Sequence, residues 1–336
     1  MEGLAREIRL VARPRGFPGE ELFEIAETEI PEPAEGQLLI RNAYLSVDPY
    51  MRPRMNDVRS YVAPFTLGEA MTGGAVGRVA VSRSARHAEG DWVVHPLGWR
   101  EWALSDGTGL RRIDPSAAPV STALGVLGMP GFTAWYGLFE LGVPKAGETV
   151  FVSGAAGAVG SAVGQMARIA GCHVVGCAGS EEKLAWLREL GCEVAFDYRK
   201  EGPREGLARL APDGIDVYFD NVGGEHLEAA IGALHTHGRI VACGSISRYN
   251  DVEPTPGPRN MFMVVTKRLR IQGYIISDHS DRFGEFAREA AAWVRDGRLR
   301  YRETVVEGIE NAPRAFLGLL RGENIGKMLV KVGPAE

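Results

Sequence analysis

Cysteine is scarce in this chain of 336 residues: Cys172, Cys177, Cys192 and Cys243 are all it has. They form no Cys-x-x-Cys pair and no zinc-type spacing, which excludes a disulfide framework and a structural zinc lobe. Three of them lie in or beside apolar strand-like runs, so they read as small core residues of a reduced protein. No apolar run approaches the roughly 20 residues that a membrane span needs. The opening stretch, MEGLAREIRLVARPRG, alternates charge with apolar residues and has no signal-peptide core. Basic residues are not in excess either: Lys and Arg number 38 against 43 Asp and Glu, mixed along the chain. That balance leaves no footprint for nucleic acid or an anionic membrane. No periodic repeat or low-complexity segment is present. The expectation is a soluble cytoplasmic protein whose 45% apolar content can fill two packed domains.

What is present centres on Glu148 to Gly171, ETVFVSGAAGAVGSAVGQMARIAG. Thr149 to Val152 is a short β-branched run suited to a strand buried on both faces. Val159, Val163, Met166, Ala167 and Ala170 recur at helical spacing until Gly171 stops the helix. Strand, glycine turn and helix together make a dinucleotide site. Gly154 allows a sharp turn, Gly157 a close backbone approach to a pyrophosphate, and Gly160 close packing of helix on strand. The spacing departs from G-x-G-x-x-G, so a tight turn without ligand is the plain alternative. His173 to Ala178 is a second buried strand that runs into Gly179-Ser180. An NAD enzyme places an acid there, about 20 residues after the glycine motif, for the ribose 2′-hydroxyl. A small neutral residue with Lys183 nearby favours NADP. Ser180 also reads as a helix N-cap, with Glu181 and Glu182 complementing the first turn. Either glutamate could instead serve as the NAD acid.

In chain order, the first third looks all-β: Ile8 to Ala12, Phe23 to Glu27, Gln37 to Ala43, Ala75 to Val81 and Asp91 to Pro96 are strand-like, with Gly and Pro turns between them. This suits a small barrel-like domain. Pro119 to Leu141 changes character, and an apolar helix, Phe132 to Leu141, follows the turn at Gly128 to Gly131. Strand and helix then alternate. Glu181 to Leu190 is helical, Cys192 to Phe196 a strand, Ile215 to Asp220 a strand and Glu225 to His235 a helix. His235 and His237 are expected to meet the last carbonyls of that helix. Arg239 to Cys243 and Arg270 to Ile276 complete six strands of a doubly wound sheet. The long loop Gly244 to Met261 reads as functional. A helix (Arg282 to Arg295), a strand (Tyr301 to Val306), a helix (Asn311 to Arg321) and a strand (Lys327 to Val332) close the chain. The last strand is expected to return to the N-terminal β domain. The boundaries follow: residues 1–122 and 300–336 form a β-rich catalytic domain, and residues 123–299 a nucleotide-binding domain.

Several segments carry a family resemblance: Leu45-Ser-Val-Asp-Pro-Tyr-Met-Arg52, Leu127-Gly-Met-Pro-Gly-Phe-Thr-Ala134, the Gly154 to Gly160 turn, Tyr218-Phe-Asp-Asn-Val-Gly-Gly224, Cys243-Gly-Ser-Ile-Ser-Arg-Tyr-Asn250 and Asn324-Ile-Gly-Lys327. The chain resembles the zinc-free medium-chain dehydrogenase/reductase superfamily, within it the prostaglandin reductase and leukotriene hydroxydehydrogenase group and bacterial NADPH-dependent curcumin and 2-alkenal reductases. The resemblance implies an α/β fold: a partly open, GroES-like β-barrel plus a doubly wound Rossmann domain. Zinc-dependent relatives carry a catalytic cysteine early in the chain and a Gly-His-Glu motif. Here Ser46-Val47-Asp48 and Gly68-Glu69-Ala70 stand in those places, so no metal is expected.

The implied reaction is NADPH-dependent reduction of the C=C bond of an α,β-unsaturated aldehyde or ketone. Tyr249 is the phenol the resemblance places nearest the chemistry, and Tyr50 is the second candidate. Tyr249 could equally be a loop aromatic against the cofactor, and Tyr50 purely structural. By resemblance the cofactor is held by Gly154, Ala155, Ala156, Gly157, Ala158, Val159 and Gly160. Gly179, Ser180, Lys183 and Tyr198 match the adenosine-phosphate side and Asn221 the end of the fourth strand. Cys243, Gly244, Ile246 and Ser247 match the ribose and nicotinamide loop, and Tyr274, Ile275, Ile276 and Asn324 the nicotinamide end. Asp220-Asn-Val-Gly-Gly224 could also be a plain Asx-type turn. Arg52, Trp99 and Asp48 read as residues that hold domains together. The resemblance implies a homodimer joined at the sixth-strand edge. A quinone reductase of the same superfamily and a non-enzymatic NADPH-binding protein are the rival readings.

Overall fold

A computed structural model describes residues 3–335 of the chain. The chain divides into two units, Met1–Gly125 with Glu303–Glu336, and Val126–Arg302.

In the first unit, β1 (Leu4–Leu10) and β2 (Phe23–Glu29) form an antiparallel ribbon. The main sheet is built on β3 (Leu38–Ser46), with β4 (Ala75–Ser82), β5 (Trp92–His95), β6 (Trp102–Ser105) and β7 (Arg111–Ile113). All of β3 is buried or half-buried except Arg41, as a central strand requires. It pairs with β4 along one edge and β6 along the other, and two register shifts in the β3–β4 ladder bend the sheet. The sharp coiling depends on Gly77: a Cβ there would stand 2.6 Å from Arg41 O. The strands β6 and β7 were not legible in the sequence, being four and three residues long. A single helical turn, α1 (Met51–Arg54), follows β3 and buries Met51 and Arg52.

The second unit carries six parallel strands: β8 (Thr149–Val152), β9 (His173–Ala178), β10 (Val194–Asp197), β11 (Ile215–Asp220), β12 (Leu234–Ala242) and β13 (Arg270–Gly273), in the spatial order β10-β9-β8-β11-β12-β13. Its helices are α2 (Met129–Tyr136), α3 (Ala158–Ile169), α4 (Glu181–Glu189), α5 (Pro203–Leu210), α6 (Gly224–Ala233), α7 (Phe262–Thr266) and α8 (Phe283–Arg295). The order reverses between β8 and β11, which opens a crevice at the carboxyl ends of those strands. The apolar helix expected to begin at Phe132 starts earlier, because Gly128 is extended and Pro130 suits the first turn. It continues past Tyr136 as a wider turn to Gly142. The sixth strand is shorter than expected and ends at Gly273, with Ile276 opening a short helical turn.

The histidine expectation fails. Helix α6 stops at Ala233, so His235 and His237 lie in β12. Lys267 takes the role assigned to them: its Nζ donates to Gly232 O and Leu234 O, both at 2.6 Å. An ammonium on a four-carbon stem reaches those carbonyls from α7, whereas His235 turns to Asp216 (2.9 Å) and Asp213 O.

The chain then returns to the first unit through β14 (Glu303–Glu307), α9 (Ala312–Arg321) and β15 (Lys327–Lys331). β15 pairs antiparallel with β3, Val330 opposite Leu45, as expected for the last strand. Phe316 of α9 packs edge-on against Trp99 (6.1 Å) and Phe23 (6.3 Å) in the core. Trp99 holds a left-handed backbone (φ 64°) and is fully buried. For an L-residue that conformation costs roughly 1–2 kcal/mol, which the surrounding aromatic packing must offset. Arg52, Trp99 and Asp48 tie segments of this one unit: Arg52 donates to Gly16 O (2.7 Å) and Asn56 (3.0 Å), and Asp48 pairs with Lys327 (3.0 Å).

Candidate active site

At the switch point β8 runs into Ser153 and the bend Gly154–Gly157. Gly154 adopts φ +59°, a conformation that favours glycine, and Gly157 N–H closes the turn onto Gly154 O (3.0 Å). A Cβ on Gly160 would stand 2.3 Å from Gly154 O and 2.8 Å from Ala155 Cα. Gly160 therefore lets α3 press closely on the bend that leaves β8. The first donor inside α3 is Ser161 N–H onto Gly157 O (3.0 Å). The N–H groups of Ala158, Val159 and Gly160 precede it and have no intrahelical acceptor, the arrangement that receives phosphate. Ala155 and Ala156 are buried, while Gly157 and Val159 are half-buried.

Asp220, at the end of β11, organises the neighbouring turn. Its Oδ1 accepts from Tyr218 Oη (2.7 Å), Val222 N–H (3.0 Å) and Gly223 N–H (2.7 Å). Burial raises its pKa despite those donors. The plain Asx-type turn is thus present. Asn221 donates from Nδ2 to Ser153 O (2.8 Å) and from its backbone N–H to Ser153 Oγ (3.1 Å), fastening β11 to β8. Ser247 Oγ donates to Val222 O (2.6 Å), which draws the loop after β12 onto the same turn.

In that loop Tyr249 folds back on itself. Its Oη accepts from Ser245 N–H (3.4 Å) and lies 3.3 Å from where Gly244 would carry a Cβ. Burial pushes the Tyr249 phenol up from its ordinary value, more than the Ser245 bond pulls it down. Tyr249 is therefore a neutral O–H at pH 7, with a proton to donate. Cys243 is pushed up to about 12 by burial, so it is an unreactive thiol rather than a nucleophile. Tyr274 Oη donates to Thr133 O (2.7 Å). Ile275 and Ile276 follow it, half-buried.

At the end of β9, Ser180 caps α4 by accepting Lys183 N–H (3.4 Å), so the capping reading of Ser180 is seen. Glu181 pairs with Arg188, and Glu182 with Arg302 at 3.3 Å. Burial and then the Arg199 guanidinium pull Lys183 below the usual lysine range. A Cβ on Gly179 would meet Tyr198 Oη at 2.8 Å and Arg199 Nε at 3.0 Å. Two cations and a phenol therefore converge on this strand end, with Glu182 beside Lys183. Arg199 was missed in the sequence, although a cation directly after Tyr198, itself a candidate for the adenosine-phosphate side, was a readable signal.

The structure brings Gly154–Gly160, Asn221, Cys243, Gly244, Ile246, Ser247 and Tyr249 to one end of this sheet, with Gly179, Ser180, Lys183 and Tyr198 at the end of the next strands. Tyr50 and Asn324 belong to the first unit. Tyr50 accepts from the Arg54 guanidinium, and burial together with the Asp48 charge pushes its phenol far above the ordinary value. Asn324 Nδ2 donates to Gly326 O (2.8 Å), a local turn contact.

Residues 6–113 match the profile described as the N-terminal domain of oxidoreductase, and residues 158–292 that described as zinc-binding dehydrogenase. The NADPH-dependent curcumin reductase of Escherichia coli is 45% identical over 96% of this chain and 95% of its own. The chain belongs to the zinc-free medium-chain dehydrogenase/reductase family. The NADP-dependent 2-alkenal reductase of Nicotiana tabacum is 42% identical over 94% of each chain. The crystal structure of CurA from Vibrio vulnificus in complex with NADPH superposes with a TM-score of 0.94 at 44% identity, covering 98% of this chain and 99% of that one. Zinc, named in the second profile, does not fit these residues. Among the described residues no three His, Cys, Asp or Glu side chains come together as a metal site. Burial also pushes the Cys172, Cys177 and Cys192 thiols up to about 11, 12 and 11, away from the thiolate a metal needs.

Proposed function

We propose that this protein is an NADPH-dependent reductase of the C=C bond of α,β-unsaturated aldehydes and ketones, acting without a metal. The observation that carries the reading is the neutral Tyr249 phenol, fixed by its own loop at the strand end beside the glycine bend. When bound, NADPH supplies a hydride to the substrate β-carbon. The C=C electron pair moves to the carbonyl oxygen, and a proton at the α-carbon completes the saturated product. The residues here supply what that charge shift needs. The helix N–H groups and the Lys183 and Arg199 cations hold phosphate, with the 2′-phosphate at the Gly179-Ser180 end. Tyr249 donates its O–H to the developing oxyanion, where a donor fixed beforehand is most effective. With its pKa raised it acts by hydrogen bonding more than by delivering its proton. Tyr50 lines or polarises as the second donor. The relatives named for curcumin and 2-alkenal reduction support the substrate class.

The protein is further proposed to be a cytoplasmic homodimer. Four unpaired cysteines suit a reducing compartment, and no described helix is long and apolar enough to cross a membrane. The outer strand β13 is exposed throughout, and Met261, Phe262, Val265 and Ile271 expose apolar surface on β13 and its neighbour α7. An unpaired edge with apolar flanks is a pairing surface. The test of function is NADPH oxidation measured over 2-alkenals, aryl enones and a benzoquinone. Faster turnover of the quinone would move the assignment to a quinone reductase. NADPH binding without turnover of any of them would leave a binding protein.

A further inference from the structure

His226 takes no part in the chemistry above. It sits in the first turn of α6, after two glycines with positive φ, Gly223 (72°) and Gly224 (56°). The side chain is buried, 7% exposed, yet Nε2 has no hydrogen-bond partner. An orphan nitrogen in a core is costly, and a leucine would fill the space without that cost. The ring meets Tyr198 edge-to-face, centroids 5.3 Å apart at 74°. Tyr198 is 38% exposed, with the Arg199 guanidinium carbon 6.0 Å from its ring centroid. Its Oη and Arg199 Nε both crowd the open side of Gly179. Burial drives His226 down to about 4, so at neutral pH the imidazole carries no charge toward a phosphate.

We propose that His226 is a positioning residue: it braces the Tyr198 ring, and through it Arg199, so that the protein selects the 2′-phosphorylated dinucleotide over the unphosphorylated one. This rests on the NADPH reading given above. A bare aromatic edge could brace the ring sterically. A ring N–H turned to the π face would add a polarised donor that holds the tyrosine and supplies the missing partner.

The test titrates the full-length protein with NADPH and with NADH, read by quenching of intrinsic fluorescence, in the wild type, His226→Phe, His226→Ala, Tyr198→Ala and the His226→Ala/Tyr198→Ala double variant. The wild type is expected to bind NADPH more tightly. His226→Ala is expected to weaken NADPH about tenfold and NADH less than twofold, and His226→Phe to weaken NADPH about threefold. In the Tyr198→Ala background, His226→Ala should change nothing further, because a brace without its ring has nothing to hold. If His226→Ala does not fold, the His226→Phe ratio decides. Equal weakening of both nucleotides, an unchanged ratio, or an effect that persists without Tyr198 would overturn the proposal while leaving the NADPH reading intact. A wild type that prefers NADH overturns both.

Discussion

The two phenols of the proposed reaction are held by different chemistry in the two units. Tyr249 is held by a main-chain N–H four residues back in its own loop. Tyr50 leans on Arg54, which donates to Ala63 O (2.9 Å), Thr72 O (3.0 Å) and Thr72 Oγ1 (2.8 Å) and stands 4.0 Å from the Phe65 ring centroid. The segment before Tyr50 is held by Asp48, which accepts from Ser46 and from the buried Lys327. The Ser245 N–H fixes the Tyr249 oxygen as an acceptor and leaves its O–H proton to donate. An ionic clamp with several partners fixes the geometry of Tyr50. The comparison bears on the proposal above, in which Tyr249 is the oxyanion donor and Tyr50 the second candidate.

Breaking the clamp should give the largest effect. Lys327 is 5% exposed and donates to Val47 O (2.7 Å), Asp48 (3.0 Å) and Met328 O (3.0 Å). Lys327→Met leaves the buried Asp48 charge with only the neutral Ser46 hydroxyl, and unfolding stability in urea should fall by about 3–5 kcal/mol. Affinity for NADPH at 25 °C, below the unfolding transition, should stay within twofold. A loss in NADPH affinity would end the division of labour between the units. Next, Tyr249→Phe should lower kcat/KM for an enone about 100-fold, or about 2.7 kcal/mol, with NADPH affinity unchanged. An unchanged kcat/KM removes Tyr249 from the reaction.

Each unit also buries one neutral histidine. His95 donates from Nε2 to Asn42 Oδ1 (2.8 Å), its Nδ1 accepts Leu97 N–H (3.2 Å), and burial takes it down to about 3; His226 is taken down to about 4. In both the folded pKa lies below the unfolded value of about 6.5. Between those limits the unfolded chain binds the proton and the folded one does not, so stability falls as pH falls. Each histidine contributes a slope of about 1.4 kcal/mol per pH unit, starting near pH 6.5. Urea midpoints taken from pH 7 to pH 4.5 should show it, and His95→Gln should flatten it by one proton. Tyr50→Phe should give the smallest change, less than about tenfold in kcat/KM, with the loss growing as the enone lengthens. A loss as large as that of Tyr249→Phe would make the two phenols equivalent.

Much of the nucleotide unit was legible because its signals are local. The β-branched run of β8, the glycines of the bend and the cap at Ser180 each follow from neighbours within a few residues. What failed was longer in range. His235 and His237 were assigned to a helix end because pattern alone cannot see Lys267 arrive from α7. Strands β6 and β7 are too short to show a period, and their pairing with β3 and β5 decides them.

The sequence by itself determined the glycine bend, the alternation of strand and helix, the absence of thiolate ligands for zinc and the small neutral residues Gly179-Ser180 directly after β9, since each depends on residue type and spacing. Only the tertiary structure decided that Arg199 joins Lys183, that Tyr249 turns its oxygen back toward Ser245, and that a buried imidazole meets the face or edge of Tyr198. Those depend on where separate strands end in space, and burial sets the protonation of each group only once the chain has closed around it.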